Sequence, residues 1–253
     1  MIKTEKLFSG YNGADVIFDI DFNVEKGESF CVLGPNGCGK STLLKSLARI
    51  IDYRGGIFID DIDISKLPRR KLAKKISLLN QSSLVYFPYT VYDTVSMGRY
   101  AHSDSMFGTQ CSDDKEIVKE VLIKLDLWEN KDRLIDELSG GTLQRVFLAR
   151  TLAQASDVIL LDEPANHLDI KHQIELLEFL RTWTKEKNKI LVNVFHDLNL
   201  ARRFSDSALI LIDGKIAAKG DISDVLNSGV LNDAYGIDIK KFMKESYENW
   251  ILK

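Results

Sequence analysis

Apolar and polar positions follow two different periods along this chain, and the places where the period changes mark out its elements. Short apolar or alternating runs at residues 2–8 and 16–24 read as strands, as does the continuous run Phe30-Cys31-Val32-Leu33. Residues 41–50 then read as a helix, and 56–59 and 76–79 as further strands. Turn-forming stretches such as Lys26-Gly27-Glu28 and Arg54-Gly55-Gly56 separate them. From about residue 91 the segments lengthen and take helical periodicity, at 91–100, 114–125 and 140–154, with Ser, Gly and Asp clustered between the first two. Strand-like runs resume at 158–161, 190–195 and 208–212, with helices between them. The pattern predicts one large α/β domain whose nucleus, residues 1–87 and 156–253, is interrupted by a helical segment at 88–155.

Composition supports a globular reading. With 253 residues, 45% hydrophobic and 28% charged, the chain can bury a substantial core. The longest apolar run, Ala208-Leu209-Ile210-Leu211-Ile212, falls far short of the ~20 residues of a membrane-spanning helix. The opening Met1-Ile2-Lys3-Thr4-Glu5 carries no apolar segment behind a basic one, so neither membrane insertion nor export is expected. A net charge of −3 gives no electrostatic reason to expect a nucleic-acid partner. The basic cluster Arg69-Arg70-Lys71 with Lys74-Lys75 is interleaved with Leu67, Leu72 and Ile76 at helical spacing and reads as a solvated helix face, with a polyanion or partner contact as the alternative. Three cysteines, Cys31, Cys38 and Cys111, are odd in number and lack metal-ligand spacing, which suits a reducing compartment.

The candidate chemistry begins at Gly34-Pro35-Asn36-Gly37-Cys38-Gly39-Lys40-Ser41-Thr42, which has the form GxxxxGK[ST]. Backbone N–H groups of such a loop surround nucleotide phosphates, the lysine reaches the β- and γ-phosphates and the hydroxyl after it reaches Mg²⁺. A strand directly before it and a helix directly after supply the required context, because the helix N-terminus adds free N–H groups and a positive dipole end. Cys38 inside the loop reads as a small space-filling residue, with a redox switch as the alternative. Downstream, Val158-Ile159-Leu160-Leu161-Asp162-Glu163 is an apolar run too short for a helix that ends in two carboxylates, as expected of a buried parallel strand delivering acids to a phosphate site. Successive strand residues face opposite ways, so Asp162 and Glu163 are expected to hold different roles while the strand stays regular.

Leu138-Ser139-Gly140-Gly141-Thr142, followed by Leu143-Gln144-Arg145, resembles the signature of ATP-binding cassette (ABC) ATPases, and the resemblance spans nearly the whole chain. It implies a P-loop NTPase core of the RecA type, an N-terminal antiparallel β subdomain and an inserted α-helical subdomain carrying the signature. It also implies roles. Tyr11 stacks on adenine, the loop from Gly34 to Thr42 holds the phosphates, and Ser41, Gln81 and Asp162 serve Mg²⁺. Lys40, Gln81, Glu163 and His196 make up the catalytic set, with Glu163 polarising the attacking water and His196 contacting the γ-phosphate. Asn166, Leu168 and Asp169 belong to a loop at the dimer interface. Residues Leu138, Ser139, Gly140, Gly141 and Thr142 reach ATP held by a second copy, because the helix they precede offers its N-terminus to an anion.

Two ATPs would thus be buried in a twofold interface that closes on ATP binding and reopens after hydrolysis. The stretches Thr90-Val91-Tyr92-Asp93-Thr94-Val95-Ser96-Met97-Gly98-Arg99-Tyr100 and Phe195-His196-Asp197-Leu198-Asn199-Leu200-Ala201 are similar to the ATPase subunits of iron-chelate (siderophore), haem and cobalamin importers. That family implies a homodimer beneath integral-membrane permease subunits, peripheral on the cytoplasmic face of the membrane, with an extracytoplasmic substrate-binding protein acting indirectly. Other ABC classes differ in build: translation-type members usually carry two cassettes per chain, DNA-repair members long coiled-coil insertions. A membrane-independent ATPase of another kind or an exporter cassette would share every catalytic residue. Thr142, Ala165 and Asn80 depart from the usual pattern beside motif residues that are intact.

Overall fold

The computed structural model describes residues 1–80, 88–102, 112–166 and 168–251. Two sheets organise the molecule. The first is antiparallel and built from β1 (Ile2–Tyr11), β2 (Ala14–Ile20) and β3 (Asn23–Val24), which are completed further along the chain. Next come β4 (Ser29–Leu33), which belongs to the second sheet, and helix α1 (Lys40–Leu47). The strands β5 (Tyr53–Ile59) and β6 (Ile62–Asp63) then finish the first sheet in the order β2-β1-β5-β6, with β3 paired to β1. The run at 16–24 expected as one strand is two, and Asp19, with φ of 53°, lies near the break. Helix α1 stops at Leu47, three residues short of expectation, because Arg49 turns left-handed with φ of 53°.

After α2 (Arg69–Lys75) and β7 (Ile76–Leu79) the chain becomes helical, with α3 (Val91–Ser96), α4 (Ser112–Lys124) and α5 (Gly140–Ala153). It then returns through β8 (Val158–Asp162), α6 (Ile170–Glu186), β9 (Ile190–Val194), α7 (Leu198–Phe204), β10 (Ser207–Ile212) and β11 (Lys215–Asp221). Helices α8 (Ile222–Asn227), α9 (Val230–Tyr235) and α10 (Ile239–Ile251) complete it. The second sheet runs β11-β10-β4-β9-β8-β7; all its neighbours are parallel except the β10–β11 hairpin. Strand β11 was not anticipated, yet its signal is visible: Asp213-Gly214 between apolar runs is a two-residue hairpin turn, and both take positive φ, 48° and 75°.

The strands β4, β8 and β9 are buried at every position, which is why they read as continuous apolar runs rather than alternating ones. Each fully buried Leu or Ile contributes roughly 1.5–3 kcal/mol, so this sheet is a stiff platform. Its two faces meet different partners. Leu43, Leu44 and Leu47 of α1 pack with Val32, Leu160 and Val192 on one face, while Val146, Leu148 and Leu152 of α5 join Leu33, Ile159 and Leu161 on the other. The carboxyl ends of β4, β8 and β9 open at one edge, the usual place for a ligand in a parallel sheet.

The helical segment has its own internal order. The span expected as one helix at 91–100 is α3 followed by a 3₁₀ turn, Met97–Arg99. Gly98 in that turn allows a close approach to α5, since a Cβ there would stand 2.3 Å from the carbonyl oxygen of Arg150. Arg99 beside it is buried, donating from Nε to Asp114 at 2.7 Å and from Nη1 to the carbonyl of Ala153 at 2.8 Å. The importer-like stretch from Thr90 to Tyr100 is therefore the packing element that locks α3 and α4 onto α5, with Thr90 capping α3 by accepting from the Asp93 N–H.

Of the basic cluster on α2, Arg70 donates to the carbonyl of Ala101 and Lys75 to Asp157, with Leu72 buried behind. The face is thus partly a structural tether. Among the described residues, no helix is long and apolar enough to cross a membrane.

Candidate active site

The phosphate loop forms where β4 leaves the sheet. Gly34 takes φ of 141° and Gly39 takes 105°, both in the left-handed half of the map where a side chain is strained. A Cβ on Gly34 would meet the Leu211 carbonyl oxygen at 2.3 Å and Cys38 Sγ at 2.7 Å, and one on Gly39 would meet Ile17 at 2.6 Å. The glycines thus let the loop sit tightly between β10 and the β1–β2 hairpin. Cys38 is buried beneath it, and that burial raises its thiol pKa above the ordinary value, as suits a filler of the loop floor.

Lys40, at the first position of α1 and 7% exposed, donates from Nζ to the carbonyls of Gly34 at 2.8 Å and Pro35 at 2.9 Å. An ammonium whose hydrogen bonds among the described residues go to neutral carbonyls keeps attraction to offer an anion. Asn36, Gly37, Gly39, Lys40, Ser41 and Thr42 line one cavity of about 390 Å³, which Val16, Glu163 and His196 complete.

Asp162 ends β8 and is 4% exposed. Burial pushes its carboxyl pKa above the ordinary carboxylate value, opposed by a hydrogen bond from Ser41. Its Oδ1 is buried with no hydrogen-bond partner among the described residues. An orphaned carboxylate oxygen beside a serine hydroxyl is a hard oxygen donor set, which fits Mg²⁺.

The backbone turns sharply after it. Glu163 has φ of 56°, so the alternation expected of Asp162 and Glu163 along a regular strand ends at Asp162, and the direction of Glu163 is set by the turn instead. Its carboxylate oxygens are each engaged, Oε1 with His196 Nε2 and Oε2 with Asn166 Nδ2. His196 follows β9, where Asp197 caps α7 by accepting from the N–H groups of Asn199 and Leu200. Gln144 of α5, which follows the signature in the sequence, donates to the carbonyls of Glu163 and Pro164, a contact between distant elements that the sequence does not show.

Other expected residues lie elsewhere. Tyr11, at the end of β1 and 42% exposed, lines a second cavity of about 390 Å³, and its ring is 5.9 Å from Nζ of Lys45 on α1. Ser139 caps α5, its Oγ accepting from the Thr142 N–H at 3.3 Å and lying 3.0 Å from the Thr142 hydroxyl. Thr142, the departure from the usual signature, thus reinforces the cap. Ser139 and Gly140 are exposed, and no signature residue from Leu138 to Thr142 lines the phosphate cavity of the same chain. Leu168 packs partly against the core, and Asp169 caps α6 by accepting from the His172 N–H. Gln81 and His167 lie outside the described residues.

The ABC transporter family model matches residues 17–166. Relatives with this similarity include the iron(3+)-hydroxamate import ATP-binding protein FhuC of Bacillus subtilis, 36% identical over 94% of this chain and 88% of its own length. The ferric enterobactin transport ATP-binding protein FepC of Escherichia coli is 35% identical over 93% and 87%. Among solved structures, the dimeric post-hydrolysis state of the ATP-binding cassette MJ0796 bound to ADP and Pi superposes with a TM-score of 0.78 at 26% identity, covering 88% of this chain and 99% of that one.

Proposed function

The chain belongs to the ABC transporter family, and from that premise we propose that it is the ATP-hydrolysing subunit of an importer for an iron–siderophore, haem or cobalamin-type substrate. The observation that carries the reading is the convergence of the Lys40 loop, Glu163 and His196 on one cavity from which the signature of the same chain is absent. Residues 1–87 and 156–253 act as the nucleotide-binding core and 88–155 as the subdomain that carries the signature.

In this reading the polyphosphate of ATP takes over Lys40 Nζ from the Gly34 and Pro35 carbonyls, while the N–H groups of the loop and of the α1 N-terminus neutralise its remaining charge. Ser41 and Asp162, together with Gln81, would hold Mg²⁺, which would supply charge neutralisation for the phosphates. Tyr11 offers its exposed ring to the adenine. Glu163 orients a water and takes its proton, and His196, joined to the same carboxylate, fixes that carboxylate and faces the γ-phosphate. The charge developing on the phosphoryl oxygens still lacks one set of donors, and these are the free N–H groups at Ser139, Gly140 and Gly141 of a second copy, with Leu138 and Thr142 framing them. Asn166, Leu168 and Asp169 lie along the same twofold contact.

Closure on ATP and release after hydrolysis then drive partner permease subunits in the membrane, with the chain on its cytoplasmic face. A substrate-binding protein on the other side delivers the cargo. The dimeric cassette relative and the import ATP-binding relatives support this arrangement.

Glu163→Gln tests the assignment. The variant keeps every phosphate contact but loses the base, so hydrolysis should fall by about 10²–10⁴-fold while ATP binding persists and a closed dimer accumulates on a sizing column. Turnover at the wild-type rate would remove Glu163 from the chemistry. Co-purification of the chain from membranes with a permease tests the transport half.

A further inference from the structure

Gln144 stands two residues beyond the signature, on the inward side of α5, with its amide against the Glu163-Pro164 turn. Its Nε2 donates to two successive carbonyls, Glu163 at 3.2 Å and Pro164 at 2.9 Å. That double contact fixes the peptide plane of a non-glycine residue held at φ of 56°, a conformation that persists only where its surroundings enforce it. The Gln144 Oε1 is buried with no hydrogen-bond partner among the described residues, so the side chain gives up an acceptor's satisfaction to keep its donor on this turn. Asn166 and His196 hold the carboxylate end of Glu163, and Gln144 holds its backbone end. Of these, Gln144 alone comes from α5.

We propose that Gln144 is a positioning residue through which the signature helix sets the general base of its own chain. It thereby makes hydrolysis at one phosphate loop sensitive to the nucleotide bound on the other. The inference rests on the reading of Glu163 as the base. Its physical basis is that the first turns of the single helix α5 face two ways: Ser139 and Gly140 are exposed at its N-terminus, where the proposed second copy would bind, and Gln144 is turned inward to the Glu163-Pro164 turn. A helix is stiff along its axis, so an anion that draws in its N-terminus must also shift Gln144. The Glu163 turn, with its strained φ, responds to that shift by re-aiming the carboxylate. Ligand on the partner's loop and base geometry on this chain's loop thus share one rigid connector.

The test uses the full-length protein with Mg-ATP and two variants, Gln144→Glu and Gln144→Met, which keep the side chain's length but remove the amide donor. Two hydrogen bonds to a strained turn are worth about tenfold in rate. Expected are a kcat lowered by about that factor, a Hill coefficient for ATP lowered toward one from a higher wild-type value, and an unchanged affinity for ADP. Expected as well is a pH signature that a merely structural role would not give: the ratio of Gln144→Glu to wild-type kcat rises as pH falls, because a protonated carboxyl regains one donor, whereas the Gln144→Met ratio stays flat. Wild-type kcat and Hill coefficient in both variants would overturn the proposal, as would equal pH ratios for the two, or a loss of ADP affinity matching the loss of rate. If Glu163→Gln hydrolyses normally the assignment of the base fails; if it is inactive while both Gln144 variants behave as wild type, only the connector fails.

Discussion

Three residues at the carboxyl edge of the parallel sheet are held in states that a lone folded chain has no reason to favour. Lys40 is buried on carbonyls, Asp162 keeps an unpartnered oxygen, and Glu163 sits at positive φ. Each is a local cost that a bound polyphosphate and its cation would offset. For Asp162 the sign follows from burial, which raises its folded pKa above the unfolded value. The protonated form therefore stabilises the fold at low pH, and that stability is lost as pH rises through the raised pKa. Asp162→Asn should consequently stabilise the metal-free protein by about 1 kcal/mol at neutral pH and flatten this pH dependence in denaturant melts, while Mg²⁺-dependent hydrolysis is abolished. A variant no more stable than wild type would show that the oxygen carries no penalty.

At the scale of elements, a buried ion pair and a glycine help fasten the helical segment, beside its apolar core. Arg99 and Asp114, 7% and 4% exposed at the side chain, bring the 3₁₀ turn after α3 and the first turns of α4 together, and Arg99 continues to the end of α5. Removing one partner leaves the other charge buried, so Asp114→Ala should cost about 3–5 kcal/mol. Exchange of backbone amides in α3 and α4 is expected to accelerate far more than in β8 and β9, because the sheet has its own core. Uniform acceleration across both would contradict that separation. Gly98→Ala should act in the same place through the 2.3 Å approach to the Arg150 carbonyl. The Thr90 to Tyr100 stretch, which resembles importer ATPases in sequence, holds α3 and α4 against α5 through Gly98 and Arg99.

For the whole molecule, the decisive feature is what does not meet. The signature caps an exposed helix end, while the phosphate cavity is lined by the loop, Glu163 and His196. Ser139→Arg should leave ADP affinity of the single chain unchanged, since Ser139 lies outside that cavity, yet abolish ATP-dependent dimerisation in light scattering and with it most turnover. Retained dimerisation would move the twofold contact elsewhere. The phosphate loop and the β8 carboxylates can be read from sequence because each is a short motif bounded by a change of apolar period, whereas His196 is singled out by the family resemblance. The β10–β11 hairpin is equally visible in Asp213-Gly214, whereas no glycine or proline marks the break between β2 and β3.

Local chemistry determined which segments become buried strands, where the phosphate loop must form and which side chains carry charge to it. Those properties depend on neighbours within a turn or a pleat, and the sequence lists such neighbours in order. The tertiary structure alone decided the rest: that Lys40 rests on Gly34 and Pro35, that Glu163 leaves the strand at positive φ, and that Gln144 reaches the Glu163-Pro164 turn from α5. These are contacts between elements, or strain imposed by them, and they exist only once apolar burial has fixed the helices against the sheet.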